Sequence, residues 1–448
     1  MTTPQPLTIG IDFGTTNSVV ALADPTTGAV LVQFVVEGGE SSTFRSALSF
    51  QFHAAEGEGR PERVVEAGPW AIEAYVDDPH DTRFIQSFKT FAASAAFTET
   101  RIHDRRYTFE DLLAAFLLKL RHHAGAAMAE LPPRVIVGRP VTFAGGRPDE
   151  ALALERYDTA FRRLGFEDVR YAYEPVGAAF YFARTLKQDA TVLVADFGGG
   201  TSDFSIIRFE QTPDGLKSTP LARSGVGVAG DAFDYRIIDN LVSPELGKGS
   251  FYASVGKTLP VPQRYYSAFA RWDQLALLRA SRDMRDIRGL ATTSLEPEKI
   301  DRLIEVLDDN HGHALYRAVS TLKQDLSRSE AADFSFVAGD VRIEKPVTRA
   351  QFEAWIAPEL TAIETALDEA LDQALRQSGL AMEGVDRVFL TGGTSLTPAV
   401  RALFHRRFGP DRIETGGEFE SIAAGLALIG LQPDVERWTQ GPAETVRA

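Results

Sequence analysis

The chain has 448 residues, with 62 acidic against 47 basic side chains, a formal net charge of −15 and no cysteine. That length buries about three quarters of the unfolded surface and divides into two or more domains. The acidic balance argues against a nucleic-acid partner, for which a basic face is expected, and the lack of cysteine excludes disulfides, thiolate metal sites and thiol redox chemistry.

In chain order, the opening MTTPQPLTIG lacks the positive start and apolar core of a signal peptide. Nor do about 18 uninterrupted apolar residues occur anywhere. The expected location is therefore the cytoplasm, with no membrane contact. Residues 7–17 (LTIGIDFGTTN) form an apolar run that delivers Asp12 to a glycine turn carrying Gly14, Thr15, Thr16 and Asn17. The hairpin unit extends to about Val36, and a glycine-rich loop at 37–42 opens an insertion through about Glu130 that holds Lys89. Within it a helix is predicted from Thr108, with Glu110 and Asp111 in its first turn and a buried stripe of Leu112, Leu113, Phe116, Leu117 and Leu120. Residues 134–137 resume as a strand, and 174–179 (EPVGAA) start a helix of small residues.

Residues 190–203 (ATVLVADFGGGTSD) then repeat the first pattern, with Asp196 in the place of Asp12 and Gly198, Gly199, Gly200 and Thr201 in its turn. The two aspartates stand about one domain length apart, which suggests a duplicated unit. In each copy glycine lets the backbone approach a ligand, and successive amides make an anion nest suited to a polyphosphate. Each Asp can hold hydrated Mg, which keeps most of its waters and takes one or two carboxylates. Two such hairpins imply one cleft between two similar lobes. Further on, 357–377 is a periodic helix with Leu360, Ile363, Leu367, Leu371 and Leu375 inward and Gly379 as its stop. Residues 387–391 form a strand running into Gly392, Gly393 and Thr394; Thr397 then offers an N-cap and Pro398 a first-turn proline for a helix through Phe408. Residues 421–426 are a second small-residue helix start, suited to crossing the first closely, and 432–448 read as a polar tail with two prolines.

Three competing signals carry less. Residues 225–230 (GVGVAG) fit the dinucleotide fingerprint but lack a clear preceding strand and a ribose-binding acid. Asp-Phe-Gly also occurs in protein kinases, yet no strand-lysine motif or His-Arg-Asp loop accompanies it. His122, His123, His311 and His313 are expected to be solvated or capping residues rather than metal ligands.

The order of these motifs resembles the actin, sugar-kinase and Hsp70 ATPase superfamily. DFGTTNS, VADFGGGTSDFS, YEPVGAA, GDAFDYR (230–236), VTRAQFE (347–353) and FLTGGTSLTP (389–398) are similar to Hsp70 ATPase segments over nearly the whole chain. GRP at 138–140 and IQSFKTF at 85–91 look like the short, bacterial YegD-like relatives of Hsp70. The resemblance implies an α/β fold of two actin-like (ribonuclease H-like) lobes, mixed sheets flanked by helices, with a nucleotide cleft between them. Lobe I is expected at 1–187 plus 418–448 (insertion about 37–130) and lobe II at 188–417 (insertion about 231–346), without a peptide-binding domain. The implied function is an ATP-binding, Mg-dependent ATPase acting as a nucleotide-dependent switch or chaperone-related factor, with protein partners or co-chaperones and no metal beyond Mg.

By the same resemblance Asp12 and Asp196 hold Mg through water, Lys89 contacts the terminal phosphate and attacking water, and Glu174 orders that water. Gly14, Thr15, Thr201 and Gly230 donate to phosphate oxygens, and Asp203 ties the second hairpin. Lys323, Ser327, Gly392, Gly393 and Thr394 belong to the adenosine site. The family pattern E-x-x-K-R-x-L-S is met by 320–327, which keeps Lys323 and Ser327 but has Ser320 and Gln324 for Glu and Arg, and Leu396 stands where the family has an arginine packing on adenine. Two alternatives stay open: a small-molecule kinase of the same superfamily, and an actin-like filament or scaffold protein.

Overall fold

Two stretches of the chain repeat one succession of elements. The structure, a computed structural model, describes residues 8–53, 62–79, 81–212, 215–271, 278, 281–308, 311–379, 384–417 and 419–441. In the first stretch β1 (Thr8–Phe13), β2 (Asn17–Asp24) and β3 (Gly28–Leu31) lead through an insertion to α1 (Phe109–His123), β4 (Arg134–Arg139), α2 (Glu150–Leu164), β5 (Asp168–Tyr173) and α3 (Glu174–Ala183). In the second, β6 (Ala190–Phe197), β7 (Ser202–Thr212) and β8 (Gly215–Val226) lead to α4 (Ala357–Ser378), β9 (Arg387–Thr391), α5 (Pro398–Phe408), β10 (Ile413–Thr415) and α6 (Ser421–Gly430). The sheets run β5-β4-β1-β2-β3 and β10-β9-β6-β7-β8. In each, the central strand pairs antiparallel with its hairpin partner and parallel with the strand after the first long helix. This is the mixed α/β, actin-like architecture expected from the sequence.

The central strands are apolar because both of their faces are covered: all eight residues of β6 are buried. Between the sheets lie α3 and α6, and their small residues are a packing requirement. A Cβ on Gly425 would stand 1.7 Å from the Gly177 carbonyl oxygen, and one on Gly177 would stand 2.9 Å from that of Ile422. Ile136, Ala172, Val192, Val194, Phe180, Ile422 and Leu426 share the core that these helices form with strands of both sheets.

Local sequence signals account for several helix ends. Thr108 and Asp111 form a reciprocal capping box on α1, whose Leu112, Leu113, Phe116, Leu117 and Leu120 are buried as expected. Gly379 follows α4 with φ +69. Two expectations are corrected. Leu375 is 50% exposed, because the stripe of α4 runs through Ile363, Ala366, Leu367, Ala370 and Ala374 and turns the next residue outward. Thr397 sits at the N-cap of α5 without a side-chain cap bond.

The segment after α6, read as a polar tail, is docked over its described part. Val435, Trp438 and Thr439 are buried, and the Trp438 ring meets Phe180 edge-on at 4.9 Å. Gln440 exchanges both backbone hydrogen bonds with Tyr171, at 2.9 and 2.8 Å, satisfying polar groups that the edge strand β5 would otherwise expose. Residues 442–448 lie outside the described residues.

The chain divides into two compact units, Met1–Ala229 with Ala362–Ala448, and Gly230–Thr361. The first contains both sheets. The second is built of amphipathic helices, among them Pro297–Asp308 and Gly312–Arg328, with the hairpin Ala331–Ala338 and Val341–Thr348. Among the described residues no helix is long and apolar enough to cross a membrane.

Candidate functional site

Each Asp-Phe-Gly hairpin ends its central strand in the first unit. The Phe anchors the strand and the Asp is carried toward the turn. Phe13 is fully buried among Phe88, Phe116 and Tyr157, at 5.3, 5.5 and 5.9 Å between ring centres, and Phe197 packs edge-on against Phe204 and Phe404. The turns face each other: a Cβ on Gly200 would stand 3.1 Å from Thr15 Oγ1. In the second turn the Gly198 amide donates to the Thr201 carbonyl at 3.0 Å. In the first, the Gly14 carbonyl accepts from Ser46 Oγ at 2.6 Å and the Thr16 carbonyl from the Ser46 amide at 2.9 Å. Asn17 Oδ1 accepts from Arg45 at 3.2 Å.

Lys89 and Glu174 meet in a buried ion pair, Nζ to Oε1 2.7 Å, with side chains 8% and 6% exposed. Lys89 lies on the short 3-10 turn Phe88–Phe91, its ammonium 6.0 Å from the centre of the Phe13 ring. Glu174 opens α3, followed by Pro175 in the first turn, where an acid suits the helix dipole. Burial alone would lower Lys89, but the charge of Glu174, with Tyr157 and Asp12 behind it, holds its ammonium above the ordinary lysine range. Around this pair stand three carboxyls that burial pushes up. Asp12 is raised to about 7 by burial and then by Glu174, against the pull of Lys89. Burial, Glu174, Asp12 and Asp203 together raise Asp196 well above the carboxylate range. Burial and Glu174 raise Asp203 to about 7, although the Thr201 hydroxyl and the amides of Thr142 and Val141 favour its ion.

The structure thus brings Asp12, Thr15, Lys89, Glu174, Asp196, Gly200 and Asp203 together, and joins Gly392–Thr394 to them through Thr394 Oγ1, which donates to the Gly198 carbonyl at 2.9 Å. Gly230, Lys323 and Ser327 lie in the second unit. There Lys323 forms an ion pair with Asp234 at 2.7 Å and donates to the Gly230 carbonyl at 3.4 Å, while Ser327 Oγ donates to the Lys323 carbonyl of its own helix. His123 is neither solvated nor a cap. Its ring stacks on Trp70 at 3.5 Å and bonds Glu66 at 3.0 Å.

Sequence reasoning missed several supporting residues. Asp203 Oδ1 accepts from the amides of Val141 and Thr142 at 2.7 and 3.2 Å, which fastens the second hairpin to the first half. A Cβ on Gly225 would lie 2.4 Å from that oxygen, which gives the discounted glycine pattern a steric reason. Gly138 makes room for Glu174, whose Cγ would stand 3.1 Å from a Cβ there. Tyr157, fully buried beside Lys89, had no sequence signal beyond its place in an amphipathic helix.

Asp12 and Asp196 end the central strands of the two hairpins, and burial raises both above the ordinary carboxylate range. The donor set fits a hydrated divalent ion held through water, the mode that suits Mg with two carboxylates. Among the described residues no group of three or more His, Asp or Glu is placed to bind a metal directly. In comparison with known families, the family model described as Hsp70 protein matches residues 78–249 and 295–436, more than half of the chain.

Proposed function

The chain belongs to the Hsp70 family, whose function is of the ATP-binding, chaperone type, and from that premise we propose that it hydrolyses ATP to ADP and phosphate with Mg in the site between its two hairpins. The observation that carries this reading is the buried Lys89–Glu174 pair standing beside Asp12 and Asp196 where the two glycine turns meet. On the shared succession of elements we assign lobe I to 1–187 plus 418–448 and lobe II to 188–417.

Phosphoryl transfer asks mostly for positioning and charge neutralisation. The amides of the turns at 14–17 and 199–201 cradle the phosphates, with the Thr15 hydroxyl as a further donor. Lys89, kept charged by Glu174, faces the negative charge that grows on the terminal phosphate. Glu174 in turn fixes the ammonium and orients the attacking water. When bound, Mg supplies neutralisation of the phosphate oxygens, with Asp12 and Asp196 holding its water shell and Asp203 bracing the second hairpin against the first half. Nucleotide state then sets the relation of the two sheets across the α3–α6 crossing and is passed to protein partners.

The test is calorimetric binding of ATP and ADP with Mg, followed by single-turnover hydrolysis. Saturable Mg-dependent ATP binding with phosphate release is expected. Failure to bind any nucleotide overturns the reading, and binding without turnover reduces it to a nucleotide-sensing scaffold. Phosphate release is also expected to be indifferent to added sugars and polyols; stoichiometric phosphorylation of one of them would establish the kinase alternative.

A further inference from the structure

The end of β8 turns one face to the first half of the chain. Arg223 and Gly225 stand two apart on the strand and so share that face, and Gly227 follows just beyond it. At the two glycines the backbones approach closely. A Cβ on Gly225 would lie 3.1 Å from the Val141 Cβ, and one on Gly227 would lie 3.4 Å from the Ala144 Cα. Arg223 places a side chain on this face: its guanidinium carbon stands 4.5 Å from the centre of the Tyr173 ring. Its own backbone is anchored in the second half, where the Arg223 amide donates to Gln373 Oε1 of α4 at 2.9 Å.

The same ring is held by the first half as well. Tyr173 ends β5 opposite Arg139, which ends β4, and the fully buried Arg139 guanidinium stands 4.7 Å from the ring centre. Arg139 is fixed in turn by Glu150 at 2.5 Å and donates to Gln440 Oε1 at 3.4 Å. One aromatic face-pair thus carries a cation from each half of the chain, each drawn by the negative face of the ring. Tyr173 is also the residue before Glu174. It stands at the N-cap position of α3 and makes no cap bond with its side chain, so the backbone that it shares with Glu174 is where a pull on the ring is felt. Glu174 is the partner of Lys89 at 2.7 Å.

We propose that Arg223 is a positioning residue for hydrolysis: from the second half it holds the Tyr173 ring, and through the backbone joining Tyr173 to Glu174 it keeps the Lys89–Glu174 pair aligned with the hairpin that carries Asp196. The inference rests on the nucleotide reading above. Asp203 also ties the halves, but its bonds reach the amides of Val141 and Thr142 in a loop, whereas Arg223 acts on the residue beside a charge of the site. If the sheets part, strand pairing and Arg139 keep Tyr173 with the first half, and the contact with Arg223 is the one that breaks. Arg223 is exposed to solvent, where a cation over a ring contributes modestly to stability. Its effect on rate is larger, because a small misplacement of a reacting group is costly.

Two measurements separate the claims. In the nucleotide-free protein, urea unfolding of Arg223→Ala, Tyr173→Leu and the double variant is expected to show coupling, with the combined loss in folding constant about three- to fivefold smaller than the product of the single losses. In single-turnover hydrolysis Arg223→Ala is expected to be about tenfold slower than the parent, with its ATP dissociation constant within about twofold. Arg223→Lys, which keeps a cation for the ring, is expected to recover the rate to within about threefold. A purely structural role would lower stability and leave the rate of the folded protein unchanged. Additive stabilities overturn the contact between Arg223 and Tyr173 as a tie, whatever the protein hydrolyses. Coupled stabilities with Arg223→Ala hydrolysing at the parent rate overturn the positioning role and leave the nucleotide reading standing. If the parent binds no ATP, or binds it without turnover, the proposed hydrolysis falls and the positioning role with it.

Discussion

The β1–β2 and β6–β7 hairpins share strand senses and the Asp-Phe-Gly ending, yet they stand in different electrostatic settings. Asp12 in the first half has Lys89 near it, and Lys89 is fixed by Glu174 of the same half. Asp196 in the second half adds a further buried acid, Asp203, whose hydrogen bonds come from backbone amides of the first half. Duplication has kept the backbone of the site while assigning the cation to one copy and the extra acid to the other. The experiments below remove the features that make the halves unequal.

The largest effects are expected where the charges meet. Lys89→Ala or Asp196→Asn should slow single-turnover hydrolysis by about 100- to 1000-fold, about 3 to 4 kcal/mol, while ATP binding changes far less. Lys89→Ala also strands Glu174 as a buried unpaired charge, a defect costing about 3 to 5 kcal/mol. The pair Lys89→Ala with Glu174→Gln should therefore regain stability in denaturant titration without regaining rate. Rates within about threefold of the parent in both single variants, under about 1 kcal/mol, would show that the charges are structural only.

Next comes the crossing that joins the halves. Gly425→Ala forces a methyl into the Gly177 carbonyl and should cost about 3 kcal/mol. Gly146→Ala has open space around its Cβ and no positive φ, so it should be near neutral. Denaturation midpoints of the two variants, taken side by side, check this.

What the sequence made legible follows the same divide between local and distant causes. The hairpin turns, the helix start at Thr108, the small residues at Gly177 and Gly425, and the strand-turn-helix at 387–408 are written in contiguous residues, and they could be read. Leu375 was misplaced because the phase of a long helix drifts by a residue toward its end. The docking of Val435 and Trp438 was missed because two apolar residues in a polar stretch give no period. Tyr157, Gly138, Gly225, Arg223 and the amides of Val141 and Thr142 act through contacts far apart in sequence, for which one chain carries no signal.

The acid of the second half gives a pH test. Asp203 is raised from 3.8 to about 7 in the fold, so the folded protein holds a proton that the unfolded chain releases near pH 4. Its contribution to stability is therefore complete below about pH 4 and is lost as pH rises through about 7. The shift corresponds to at most about 4 kcal/mol, and relaxation around a buried charge brings the expected effect nearer 2 kcal/mol. Asp203→Asn keeps an oxygen for the amides of Val141 and Thr142. In the nucleotide-free protein it should gain about 2 kcal/mol over the parent at pH 8, with the gain vanishing by about pH 4. A difference between variant and parent that does not change from pH 4 to 8 would remove burial as the cause.

The smallest contrast compares equivalent helices of the two halves, α2 and α5. Asp149 caps α2, its carboxylate accepting from the Leu152 amide at 3.0 Å at the positive end of the helix dipole. Thr397 holds the same place on α5 but makes no side-chain cap bond, and Pro398 has already removed one of the orphan donors there. Asp149→Ala should therefore cost about 1 kcal/mol, the usual loss of a side-chain cap. Thr397→Val, which keeps the buried shape and deletes only the hydroxyl, should stay within about 0.5 kcal/mol of the parent. Urea midpoints at two ionic strengths test both parts, since the charged cap should weaken with salt and the threonine should not respond. Equal costs at the two positions would mean that the Thr397 hydroxyl caps α5 in solution, and the asymmetry drawn between these helices would disappear.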